Sequence, residues 1–175
     1  MLNNRVDPPW TRAGWIEQAG AWIHTQLERL RIDITGTIEQ PHVRPWSTVL
    51  RVPTTSGAIY FKAITPILAH EVRLTQTLAR WRPAVMLSPL AVHLQRGWML
   101  MPDGGTRLRE TLKTEPNLRH WETVLPIYAE LQIELAQHVT QLLNLGAPDR
   151  RAATLPAQYE RLFEELTGKT PPSPH

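Results

Sequence analysis

The feature that most restricts what this chain can fold into is the run from Ser47 to Lys62: Ser-Thr-Val-Leu-Arg-Val-Pro, then Thr-Thr-Ser-Gly, then Ala-Ile-Tyr-Phe-Lys. Two short stretches rich in β-branched and aromatic residues flank a turn whose last residue is Gly57, which is the pattern of a β-hairpin. The second stretch ends in Lys62, directly after the large apolar residues Ile59, Tyr60 and Phe61. A lysine in that position is costly to bury unless it meets an anion. Glu71, nine residues on, can supply one. The alternative is that Lys62 snorkels out at a strand end and Glu71 is an ordinary solvated residue. The order of the surrounding segments favours the paired arrangement.

Those segments follow from periodicity and punctuation. Asp7-Pro8-Pro9 is a plausible helix start. From Trp10 to Leu30 the residues Trp15, Ile16, Ala19, Trp22, Ile23, Leu27 and Leu30 share one helical face, which predicts a helix packed on the core. A membrane-surface helix would need a strongly basic polar face, and this one carries Glu17 and Glu28. Asp33 to Gln40 reads as a first strand, and Pro41 to Trp46 as its connection to the hairpin. Pro66 opens a helix with Ile67, Leu68, Val72, Leu74, Leu78 and Trp81 on its apolar face, and Arg82-Pro83 ends it. Val85 to Leu94 and Gly97 to Met101 form a further strand pair. The apolar run Trp98-Met99-Leu100-Met101 then breaks into Pro102-Asp103-Gly104-Gly105.

Beyond that break the pattern is helical. Leu118, Trp121, Leu125, Tyr128, Leu131, Leu135, His138 and Leu142 trace one apolar stripe, with a kink or a new helix expected at Pro126. A lone histidine such as His138 on this stripe is expected to be a packed residue rather than a ligand. Gly146 followed by Pro148 is a stop. A last helix is expected from Leu155 to Thr167, with Tyr159, Leu162, Phe163 and Leu166 inward, followed by a proline-rich tail. The expected organisation is an N-terminal helix (1–32), a sheet lobe with its connector (33–103), a helical part (104–168) and a disordered tail (169–175).

Composition narrows the function classes. The chain has 175 residues and no cysteine, so neither a disulfide framework nor a cysteine-based metal or redox site is possible. No apolar run approaches the ~20 residues needed to span a bilayer, and the first residues lack the apolar core of a signal peptide. A soluble, cytoplasmic protein without a membrane partner is expected. The isoelectric point of 9.7 reflects a net charge of only +3, carried almost entirely by arginines spread along the chain. No basic block with interleaved aromatics argues for nucleic acid.

The order of these parts is the layout of a kinase-type nucleotide lobe, and the chain resembles the N-terminal part of the aminoglycoside phosphotransferase family of small-molecule kinases. The resemblance rests on Trp46-Ser-Thr-Val-Leu-Arg-Val-Pro, Ile59-Tyr-Phe-Lys62, Glu71 in Glu-Val-Arg-Leu, and Trp98-Met-Leu-Met-Pro-Asp-Gly-Gly105. Tyr128-Ala-Glu-Leu-Gln132 and Leu145-Gly-Ala-Pro-Asp-Arg150 extend it into the helical part. It implies an α+β fold: a protein-kinase-like lobe with a five-stranded antiparallel sheet and packed helices, followed by the first helices of a second lobe. It also implies ATP in the cleft, with Lys62 and Glu71 positioning its phosphates. Met101, Pro102 and Asp103 would lie at the adenine, and Ser47 would approach the phosphates, with His42 and Arg44 as weaker candidates. The approach is not glycine-rich, and neither G-x-G-x-x-G nor G-x-x-x-x-G-K-[ST] occurs.

One departure limits what the resemblance implies. Phosphoryl transfer needs a carboxylate at the acceptor hydroxyl and further ligands for Mg²⁺. The family supplies them from a His-x-Asp loop with a following Asn, and from a later Asp. The aspartates here are Asp7, Asp33, Asp103 and Asp149, and none follows a histidine at that spacing. The expectation is therefore a truncated kinase without catalytic residues or metal ligands of its own, binding ATP weakly. Mg²⁺ and a small-molecule hydroxyl acceptor would belong to the complete enzyme. The alternative is a non-enzymatic remnant that binds a nucleotide or a protein. Self-association through the exposed second-lobe helices is expected in either case.

Overall fold

The computed structural model describes residues 7–168 and is α+β, with a five-stranded antiparallel sheet. In chain order the elements are α1 (Trp15–Leu30), β1 (Glu39–Val43), β2 (Ser47–Thr54), β3 (Gly57–Ile64), α2 (His70–Trp81), β4 (Ala91–His93) and β5 (Trp98–Pro102). The helices α3 (Leu108–Thr114), α4 (Arg119–Leu135), α5 (Val139–Asn144) and α6 (Leu155–Thr167) follow. The strands lie in the order β1-β2-β3-β5-β4. The expected tail, 169–175, lies outside the described residues.

The alternation of side chains along β2 and β3 decides what each face of the sheet does. Leu50 pairs with Phe61 and Val52 with Ile59, while Phe61 pairs with Leu100 on β5. These residues face α1, which buries Trp15, Ala19, Ile23 and Leu27 against them. Phe61 is the hub, with ring centroids 6.2 Å from Trp15, 5.8 Å from Trp22 and 5.5 Å from Trp98. On the opposite face Ile64 and Met99 pack with Val72 of α2. The N-terminal helix thus shares one core with the sheet through Trp15, Ala19, Trp22, Ile23 and Leu27, whereas Ile16 and Leu30, expected on the same face, are exposed. It starts later than Trp10 because Gly14, at φ 75°, turns the chain just ahead of it. Pro9–Thr11 forms a separate 3₁₀ turn.

Other expectations require correction. The first strand is not Asp33–Gln40 but Glu39–Val43; residues 33–38 contribute only an isolated bridge from Ile34 to Thr54. A proline within the strand is tolerated because β1 is at the sheet edge, with a register shift between Glu39 and His42 that leaves the missing N–H of Pro41 outside the ladder. Of Val85–Leu94 only Ala91–His93 is strand. Ile67 lies in a 3₁₀ turn ahead of α2 and is 84% exposed rather than inward. Pro126 does not break its helix: α4 runs through it, and the interruption falls at a 3₁₀ turn over Ala136–His138. The carbonyl that Pro126 deprives of a partner belongs to Glu122, which is exposed, so water can satisfy it.

The helical part meets the sheet lobe through polar and aromatic contacts. Arg82, just past α2, pairs with Glu134 of α4. Trp81 lies against His138 with ring centroids 4.5 Å apart, so His138 is a packed residue as expected. Along the predicted stripe, however, Leu131 alone is buried. Leu118, Trp121, Leu125 and Tyr128 are exposed, as are Tyr159, Leu162 and Leu166 of α6, which were expected inward.

Candidate functional site

The sheet face carrying Lys62 forms the floor of a cleft of about 430 Å³. Cross-strand partners share a face, so His42, Val49 and Lys62 form one row across β1, β2 and β3. His42 belongs to that row because of the register shift before it. Carried on in the register of Glu39 and Arg51, it would pair with Thr48 and face α1. Ser47 and Tyr60 lie on the same face, Ser47 buried at the start of β2 and Tyr60 two residues before Lys62. Pro41 closes the cleft at the β1 edge, and Arg107, from the connector ahead of α3, completes its lining.

The Lys62 ammonium forms an ion pair with the Glu71 carboxylate, linking the third strand to the first turn of α2. Their side chains are 31% and 36% exposed, so the pair itself contributes at most ~1 kcal/mol to stability after solvent screening. Its value lies in orientation: it holds the lysine in the cleft while leaving two of its three N–H groups for another acceptor.

The expected site residues are only partly brought together. Lys62 and Ser47 line the cleft, and Glu71 reaches Lys62 from α2. Met101 sits beside Tyr60 in the β3–β5 ladder, and Pro102 ends β5 opposite Ile59. Neither is part of the cleft lining. Asp103 is exposed, and its Oδ1 accepts a hydrogen bond from the Gly105 backbone N–H at 2.9 Å, which shapes the connector. Of the weaker candidates His42 lines the cleft. Arg44 instead sits in the β1–β2 turn and donates to the Val43 carbonyl at 3.3 Å. Sequence reasoning missed Tyr60 as a cleft residue, although the period-2 alternation with Lys62 could have identified it. It also missed Arg107, for which no local signal exists.

Among the described residues no group of three or more His, Asp or Glu side chains is arranged to hold a metal ion. Among the described residues the one marked carboxylate perturbation lies in the helical part. There the Arg151 guanidinium, hydrogen-bonded to Asp149 at 2.9 and 2.6 Å, holds that carboxyl below its usual range. Among the described residues no helix is long and apolar enough to cross a membrane. No family model, curated protein or solved structure matches the chain.

Proposed function

We propose that the chain is the ATP-binding, protein-kinase-like lobe of an aminoglycoside-phosphotransferase-like small-molecule kinase, together with the first helices of its second lobe. The observation that carries this reading is Lys62 at the floor of the cleft, paired with Glu71 of α2. A strand lysine steered by a helix glutamate, with N–H groups left over, is an arrangement suited to phosphate oxygens. The α+β architecture with its five-stranded antiparallel sheet is compatible with it. The residues present fit the phosphates better than the rest of the ligand. Met101 and Pro102 lie on the neighbouring strand, and no carboxylate lines the cleft to orient an acceptor hydroxyl or ligate Mg²⁺. Asp103 is engaged by Gly105 and Asp149 by Arg151. The chain therefore binds nucleotide without transferring phosphate.

Calorimetric titration with ATP tests this. With so partial a pocket the expected affinity is about millimolar, or roughly −4 kcal/mol, and Lys62→Ala should abolish it. Binding that is indifferent to Lys62→Ala overturns the site. ATP turnover by the purified chain, lost in the same variant, overturns the absence of transfer. A second reading, a protein-binding remnant of a kinase, is favoured by the exposed apolar residues of α4 and α6. It predicts that ATP has no effect.

A further inference from the structure

We propose that Arg107 is the second phosphate-gripping cation of the cleft, and that the ligand is held by a polyphosphate clamped between Arg107 and Lys62. This rests on the nucleotide reading of the same cleft. Lys62 brings little net charge to it, because its ammonium is matched by Glu71. Arg107 lines the cleft from the connector after β5, and no ion pair or side-chain hydrogen bond among the described residues engages its guanidinium.

The backbone beneath it is fixed. The Arg107 carbonyl accepts from the N–H groups of Glu110 at 2.8 Å and Thr111 at 3.2 Å. The side chain thus projects from an anchored residue, is exposed, and faces a wall that carries no carboxylate. The uncompensated positive charge of the cleft is therefore that of Arg107. The two cations differ in kind. Lys62 offers a point charge steered by Glu71, whereas a guanidinium presents a planar fork that takes two oxygens of one phosphate. Such a pair suits a chain of phosphates better than a single carboxylate or a neutral sugar.

The test is an NMR titration at low salt of the wild type, Arg107→Ala, Arg107→Lys and Lys62→Ala with ATP, inorganic tripolyphosphate and adenosine. Arg107→Ala should weaken both ATP and tripolyphosphate on the order of 10-fold, the effect of losing one charge-assisted contact. Arg107→Lys should recover only part of that, and adenosine binding should not change. Because Arg107 is exposed and its side chain caps nothing, the variants should keep the wild-type circular dichroism. If Lys62→Ala weakens ATP while Arg107→Ala changes neither phosphate ligand, the clamp is wrong and the nucleotide reading stands. If tripolyphosphate binds through Arg107 while ATP gains nothing over it and adenosine does not bind, the clamp stands and the nucleotide reading falls. If neither phosphate ligand binds the wild type, both fall.

Discussion

Replacing Phe61 by alanine should destabilise α1 together with the sheet, not the sheet alone. Phe61 is fully buried and is enclosed by Trp15 and Trp22 of α1 and by Trp98 of β5, at 6.2, 5.8 and 5.5 Å between centroids. Truncating a buried phenylalanine costs about 3–5 kcal/mol through lost transfer energy and the cavity left behind. The edge-on contacts with Trp22 and Trp98 push the value towards the upper end, since each such pair adds roughly 0.5–1.5 kcal/mol beyond area burial. The total stability of a domain is about 5–15 kcal/mol. A loss of 4 kcal/mol with a urea m-value near 2 kcal/mol/M should lower the midpoint by about 2 M. Far-UV circular dichroism is the proper readout, because tryptophan fluorescence would report the altered neighbours as well as unfolding. The decisive companion is Ile23→Ala, fully buried on α1, which should cost about 2–5 kcal/mol. A midpoint shift worth less than 1 kcal/mol for both variants would mean that α1 is an appendage, and the shared core would be refuted.

Two glycines should respond differently to alanine. Gly97→Ala places a Cβ 2.9 Å from the Ile64 carbonyl oxygen at a residue with φ 66°, so chemical denaturation should show a loss above the ~1–2 kcal/mol of left-handed strain alone. Gly57→Ala, at φ 97° in the hairpin turn with nothing near its Cβ, should incur the strain only, and so be the milder of the two in the same measurement.

The parts legible in the sequence are those with a local cause. The hairpin is paired in full, from Ser47 with Ile64 to Thr54 with Gly57, because alternation and turn chemistry act within a few residues of one another. The same holds for α6, which spans Leu155–Thr167 as expected, with Gly168 at φ 65° ending it. What sequence missed was decided at a distance. β1 contains a proline that argues against a strand, and only its edge position and register shift make room for it. The same shift brings His42 to the cleft, so one backbone irregularity hid both an element and a site residue. Arg107 lies 45 positions beyond Lys62 in the chain, and only the fold brings the two to one cleft. The inward faces of α4 and α6 were a correct reading of amphipathicity but not of packing. Their apolar residues exist, and many of them stay exposed.

That uncovered surface supports a prediction about local stability. A helix is held in a protein mainly by burying an apolar face, since propensity alone leaves helices of this length marginal in water. In α4 only Leu131 is buried, although Trp121, Val124, Leu125, Ile127 and Tyr128 are all apolar or aromatic. In α6 no residue is buried. The links to the sheet lobe include Arg82 with Glu134 and, at 3.9 Å, with Glu130, and the Trp81–His138 contact, and partly exposed ion pairs contribute at most about 1 kcal/mol each. The strands β2, β3 and β5, by contrast, carry most of the fully buried side chains, from Leu50 to Phe61 and Leu100. Opening α4 and α6 should therefore not require opening the sheet. In a dilute, monomeric sample, amides in the middle of α4 should exchange at least about 100-fold faster than those of β3, a difference of roughly 3 kcal/mol in opening free energy. An exposed apolar surface of this kind also favours association, so protection of α4 should rise with protein concentration while that of β3 does not. Leu125→Glu should remove the concentration dependence and leave β3 unchanged. Equal protection of α4 and β3 in the monomer would show the helices to be held by more than the contacts described, and would remove the support that their exposed surface gives to the protein-binding reading.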